Sequence, residues 1–262
     1  MSEDGERVRY TFGDSATASE RLGRVARVFA PSSEAFLARL PGPARRRVLD
    51  IGCGPGHTSR MLARAFPDAA VCGLDQSDAF LAEARGSASP RTSFEQADVG
   101  VPPLPSAPAD LIFARFVLSH LRDRETALRA WFDALSLAGL LAVEEVDVID
   151  TDDRVFADYL AITSGLMADR GGALYVGREL ATAMHALGGR VVIDGASSVA
   201  PATAEIATIF ELNLQSWRND PWVTERHDRA TLDALAAALR ERRAAGGAGA
   251  IRWTLRQVAV ER

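Results

Sequence analysis

Residues 48–60 read Val-Leu-Asp-Ile-Gly-Cys-Gly-Pro-Gly-His-Thr-Ser-Arg. An apolar run holding one acid stops at three alternating glycines, Gly52, Gly54 and Gly56, and a helix-forming stretch continues to residue 66. That order is strand, tight loop, helix. Glycine lacks a Cβ, so such a loop adopts positive φ and lets a flat or charged ligand approach its backbone. The helix start adds unpaired N–H groups and a positive dipole end. A dinucleotide fingerprint needs a third glycine at the sixth position of G-x-G-x-x-G. His57 stands there instead. Asp50, just before the loop, would repel a pyrophosphate but suits a ligand that carries an ammonium group.

A second apolar run, residues 70–74, ends at Asp75 and Gln76. Together with the segment Asp-Ile-Gly-Cys-Gly-Pro-Gly, this resembles the nucleotide loop and acidic partner of class I S-adenosylmethionine-dependent methyltransferases. The resemblance implies a Rossmann-like α/β fold, a doubly wound seven-stranded sheet whose last strand is antiparallel, carrying helical lid insertions. S-adenosylmethionine is the cofactor it implies, with S-adenosylhomocysteine as product. By the same resemblance Asp50, Gly52, Cys53, Gly54, Gly56, Asp75 and Gln76 form the first part of the cofactor site. Asp98 and Val99, after the third strand, would address the adenine, and Arg115 and Phe116, after the fourth, the methionine portion.

The totals agree with one soluble domain carrying additions. The chain has 262 residues, 47% of them hydrophobic and 25% charged, which suffices for a proper core. Net charge is −5, so no basic footprint for nucleic acid is present. Neither an N-P-P-Y nor a D-P-P-Y tetrad follows the fourth strand, which opposes a nucleic-acid methyltransferase. Two cysteines, Cys53 and Cys72, lack metal-ligand spacing and make no disulfide framework, so a reducing cytoplasm is expected. The polar N-terminus has no signal-peptide core, and no apolar run approaches the roughly 18 residues of a membrane span. The expected partner is a small-molecule acceptor, with no nucleic acid and no membrane, and the chain is a monomer or a homodimer.

Three regions follow. Residues 1–43 read as an arm and lid helices, with Pro31 ending one helix and Ser32-Ser33 capping a second over residues 34–40. Residues 44–150 form the S-adenosylmethionine-binding core. Residues 151–262 complete the sheet around helical insertions at 154–170 and 203–217, and place the antiparallel strand 251–260 at its edge.

Transfer of a methyl group from a sulfonium needs nucleophile, carbon and sulfur in line, and a base only if the acceptor must lose a proton. His120 faces the cleft and is the candidate base, the alternative being a histidine packed beside the cofactor. Strand alternation sends one of Glu144 and Glu145 inward; Glu144 is the second catalytic candidate, a solvated acidic patch the alternative. Asp147 and Asp150 raise the question of Mg²⁺, but no metal is expected. Tyr10, Phe12, Tyr175 and Trp217 are the expected acceptor contacts, against the alternative of ordinary helix packing. The function expected is methylation of an oxygen, nitrogen or activated carbon of a small molecule, in antibiotic or other specialised metabolite biosynthesis. The alternative is a non-methylating cyclase or a regulatory S-adenosylmethionine-binding module of the same fold.

Overall fold

The computed structural model describes residues 12–262. One seven-stranded sheet runs through it, in the order β3-β2-β1-β4-β5-β7-β6. The strands are β1 (Arg47–Ile51), β2 (Ala70–Asp75), β3 (Thr92–Gln96), β4 (Ala109–Arg115), β5 (Leu135–Thr151), β6 (Arg190–Val199) and β7 (Ile251–Glu261). The first five pair in parallel, while β7 lies antiparallel between β5 and β6.

The expected edge position of the last strand is therefore corrected. Its run Gln257-Val258-Ala259-Val260 is buried on both faces, as an interior strand requires. The edge belongs to β6, whose side chains alternate between partly buried and exposed.

The chain winds outward through β1, β2 and β3, then returns to β4 on the other side of β1. Such a reversal opens a crevice at the carboxyl ends of the central strands. Helices α2 (His57–Ala65), α3 (Asp78–Gly86), α4 (Arg124–Asp133) and α6 (Gly177–His185) belong to the wound core. One face of the sheet packs Leu49, Ile112, Leu141 and Val258 against Trp131 of α4 and Leu180 and Met184 of α6. The other sets Val48, Leu111 and Phe113 against Leu62 of α2 and Phe36.

Phe36 comes from α1 (Ala16–Leu37), which is one helix and not two. Ser15 caps it, accepting from the Ala18 N–H at 3.3 Å. Pro31 sits inside the helix, although proline removes a helical hydrogen bond and crowds the preceding turn. Burial of Phe29, Ser32, Ser33 and Phe36 on both sides of the proline holds the two halves in line, so tertiary packing overrides the local breaker.

The insertions form a separate roof. Helices α5 (Arg154–Asp169), α7 (Thr203–Trp217), α8 (Pro221–Arg226) and α9 (Arg229–Ala245) enclose a second core of Phe156, Leu166, Phe210, Leu214 and Leu239. Aspartates cap α5, α8 and α9, with Asp153, Asp220 and Asp228 each accepting a backbone N–H of the first turn. The short helix α8 has no apolar period to betray it. Asp220 as cap and Pro221 at the first helical position are its only local signals. Among the described residues no helix is long and apolar enough to cross a membrane.

Candidate active site

A cleft of about 1110 Å³ opens above the carboxyl ends of β1, β2 and β4 and continues beneath α1, α5 and α7. Its floor is the glycine loop. Gly52, Gly54 and Gly56 all take positive φ, at 63°, 52° and 78°. At Gly52 a Cβ would stand 2.7 Å from a methyl of Val117, so no side chain fits. Gly52, Cys53 and Gly54 line the cleft. Cys53 is held by its N–H donating to the Leu74 carbonyl at 3.0 Å, and burial pushes its thiol up out of reach of ionisation.

Asp75 stands at the end of β2 with one carboxylate oxygen accepting from the Gly54 N–H at 2.8 Å and the other from the Ser77 N–H at 2.9 Å. The acid and the loop are thus one unit. Gln76, Asp98 and Val99 lie along the same wall, and Asp98 turns the chain by accepting from the Gly100 N–H at 2.9 Å. Arg115 and Phe116 line the opposite side of the loop. Phe116 takes φ of 59°, uncommon for an aromatic residue, and packs edge-on against Phe29 at 5.1 Å.

That turn is braced by Glu145, which has no exposure to solvent. Its Oε1 accepts from the N–H groups of Val117 and Leu118, both at 2.7 Å. Burial pushes the carboxyl up to about 8, against the pull of those two N–H groups. Glu145 therefore shapes the segment that presents Phe116 and His120.

Five expected site residues do not reach the cleft. Asp50 is buried beneath the loop, where the Ser59 hydroxyl donates to it at 2.5 Å; burial raises its carboxyl to about 7. Being second from the end of a fully covered parallel strand, it points into the layer under α2 and not out of the strand's end. Gly56 serves packing: a Cβ there would meet Phe94 at 3.0 Å and Ala84 at 3.1 Å. Glu144 is fully buried on the sheet face opposite Glu145, accepting from Ser32 at 2.8 Å, from Gln257 at 2.7 Å and from Ser33. Neither the catalytic role nor a solvated acidic patch fits that setting. Tyr175 lies off the cleft with the Arg178 guanidinium 5.2 Å from its ring centroid. Trp217 is buried in the roof core, 5.9 Å from the ring of Tyr159.

Two others are where they were expected. Phe12 lines the cleft, with the His120 ring edge-on at 5.6 Å and the Arg21 guanidinium 5.1 Å from its centroid. Tyr10 falls outside the described residues. His120 also lines the cleft, in a single 3-10 turn, Leu118–His120. Burial, helped by the Arg21 charge, lowers its imidazole to about 3, so it is neutral at ordinary pH.

Sequence reasoning did not single out Arg21, Tyr159, Thr163, Asn213 or Trp253, all of which line the cleft. A signal existed for two of them. Arg21 falls three residues after Ala18 and Asn213 four after Ile209, polar positions on otherwise buried helix stripes. Arg115 also braces the frame. Its side chain donates to Ser33 at 3.1 Å and to Thr58 at 3.2 Å, tying α1 to the first turn of α2.

Residues 48–139 match a methyltransferase domain family. The trans-aconitate 2-methyltransferase of Methylobacterium radiotolerans is 35% identical over 208 residues, 79% of this chain and 70% of that protein. The enzyme of the same name from Variovorax paradoxus is 42% identical over 118 residues, 45% of this chain. That match spans 44% of the Variovorax protein's own length. In the solved structures, Haemonchus contortus phosphoethanolamine N-methyltransferase 2, in complex with phosphomonomethylethanolamine and S-adenosylhomocysteine, superposes with a TM-score of 0.54 at 19% identity, covering 92% of this chain and 57% of that one. The chain belongs to the class I S-adenosylmethionine-dependent methyltransferases. Its cofactor is S-adenosylmethionine, and the loop fits it: a glycine floor in positive φ that admits no side chain at Gly52, an acid locked to that floor, and a cleft leading away from both.

Proposed function

We propose that the protein transfers the methyl group of S-adenosylmethionine to a carboxylate oxygen of a small organic acid, forming a methyl ester. The observation that carries this reading is the pairing of a buried guanidinium, Arg21, with the imidazole of His120 on the wall of the cleft. The imidazole there, His120, is held neutral and weakly basic, with the Arg21 guanidinium beside it. The nearby Tyr159 phenol is pushed up from its usual value by burial. An alcohol or ammonium acceptor would need a stronger base than this. A carboxylate arrives already deprotonated and is drawn to positive charge.

S-adenosylmethionine supplies a methyl carbon already activated by sulfonium charge. The protein's part is positioning, which in favourable cases lowers a barrier by about 7–11 kcal/mol. Asp75 and the loop would hold the nucleoside, Asp98 and Val99 the adenine. Arg115 and the Phe116 turn would hold the methionine end, and Arg21 would orient the acceptor carboxylate. Phe12, Phe29, Phe116 and Trp253 line the chamber with aromatic surface. The names of the curated relatives, trans-aconitate 2-methyltransferases, support an acid as acceptor. The chamber's walls, which include Val25, Val146, Ile206 and Ile209, favour an acid with an apolar body. The role in specialised metabolism and the cytoplasmic setting, both read from the sequence, stay part of the proposal; the two free, buried cysteines support the latter.

The test is a screen of trans-aconitate and apolar monocarboxylates, read by S-adenosylhomocysteine release and by mass spectrometry of the product. A product whose added methyl is cleaved by mild alkali supports an ester. A methyl that survives alkali, as on nitrogen or carbon, sinks the carboxylate assignment. Because His120 stays neutral, the acid limb of kcat/KM should show no ionisation near 6.5 that disappears in His120→Gln.

A further inference from the structure

The roof contributes one polar group that neither the fold nor the carboxylate chemistry uses. Asn213, on α7, is 94% buried, and its side chain borders the cleft. Its Nδ2 donates to the Tyr159 hydroxyl at 2.7 Å, which fixes the amide. The Oδ1 has no hydrogen-bond partner. Thr163, one helical turn beyond Tyr159 on α5, also borders the cleft, and its hydroxyl lies near the phenol without forming a hydrogen bond of ordinary geometry.

The Tyr159 ring stacks on Phe210 at 3.8 Å with 14° between planes, and Phe210 is three residues before Asn213 on the same helix. Trp217 stands behind the phenol, 5.9 Å from its ring, and Leu160, Met167, Ile206 and Ile209 add apolar side chains to the cleft. A buried carbonyl left unpaired is costly, and native proteins keep such groups where a ligand completes them.

We infer that Asn213, with Tyr159 and Thr163, is a second recognition point that selects an acceptor bearing a hydroxyl group remote from the carboxylate to be methylated. Taken with the carboxylate reading, on which it rests, the acceptor class is a hydroxylated organic acid with an apolar frame. With Nδ2 committed to Tyr159, a hydroxyl donates to the Asn213 Oδ1 and accepts from Thr163. A second carboxylate would face the amide oxygen with another acceptor. The Arg21 charge acts on Tyr159, so the two recognition points lie within one acceptor's reach.

The test uses calorimetry on the full chain saturated with S-adenosylhomocysteine, titrated with hydrocinnamate and with its para-hydroxylated form, phloretate. The expected result is a preference of about ten-fold or more for phloretate, the scale of a completed buried hydrogen bond. Asn213→Leu, of similar shape, should erase that preference while keeping hydrocinnamate affinity; Thr163→Val should reduce it. Equal affinities in the wild type, no binding of either acid, or a preference that survives Asn213→Leu would each overturn the proposal. Failure to bind S-adenosylhomocysteine at all is a different result, and counts against the methyltransferase reading.

Discussion

The two ends of the cleft are built from different materials. At the cofactor end the ligand surface is largely backbone: Gly52, Cys53 and Gly54, aimed by an acid 21 residues away from Gly54 that binds the loop's own N–H. At the acceptor end it is side chains from α1, α5, α7 and β7, elements that lie in distant parts of the chain. Backbone geometry tolerates few residue types, so the first end is written in short motifs. Side chains on a helical roof can be exchanged while the helix stays, so the second end is set by which faces happen to converge.

The sharpest way to break this contrast is Asp75→Ala. One charge-assisted hydrogen bond ties this carboxylate to the loop at Gly54, and a second, from Ser77, orients it. Losing both, along with the cofactor contact proposed for Asp75, should weaken S-adenosylhomocysteine binding by more than about 100-fold, since each is worth roughly 1.5–3 kcal/mol. Unchanged affinity in a calorimetric titration would mean that the floor is organised without the acid.

Glu144 tests the opposite claim, that a buried acid near the cleft serves only the frame. Its oxygens accept from α1 and β7 together, and the same Ser33 receives a hydrogen bond from Arg115. Glu144→Leu strands those donors and should cost about 3 kcal/mol in denaturant unfolding. Any fall in turnover should follow the fraction unfolded. A loss of kcat in fully folded protein would restore a catalytic role.

Glu145 gives a pH-dependent effect. Its carboxyl is raised in the folded state from 4.5 to about 8, so the folded protein prefers the protonated form. Between those two values the unfolded chain releases a proton that the folded one retains, and stability attributable to this group falls as pH rises. Relative to wild type, Glu145→Gln should lack that decline. Parallel stability curves for the two proteins from pH 5 to 8 would show that the Val117–Leu118 turn does not hold a protonated acid.

The smallest effects belong to the aromatic residues that do not reach the chamber. Trp217→Phe should cost about 1–3 kcal/mol through lost packing and leave acceptor KM unchanged, while Tyr175→Phe should alter neither measurably. A several-fold rise in acceptor KM for either would move the boundary of the acceptor end toward α6 or α8.

How much of this was legible varied with locality. The five parallel strands and the two inserted helices follow from contiguous runs of the chain. Pro31 misled because a breaker acts locally, whereas the helix around it is held by contacts with the sheet. Glu144 and Glu145 are indistinguishable in sequence. One braces α1 and the other a strained turn only because successive side chains leave a strand on opposite faces and different partners wait there.

From the sequence alone came the glycine floor, the acid at Asp75, the cofactor they bind and the order in which strands and helices alternate, because backbone conformation and its permitted residues are local matters. Tertiary structure decided that β7 lies inside the sheet, that Asp50 sits beneath the loop and that His120 is neutral. It also joined Arg21, Tyr159 and Asn213 in one chamber. Burial and convergence depend on which distant surfaces are pressed together, and no stretch of chain carries that information by itself.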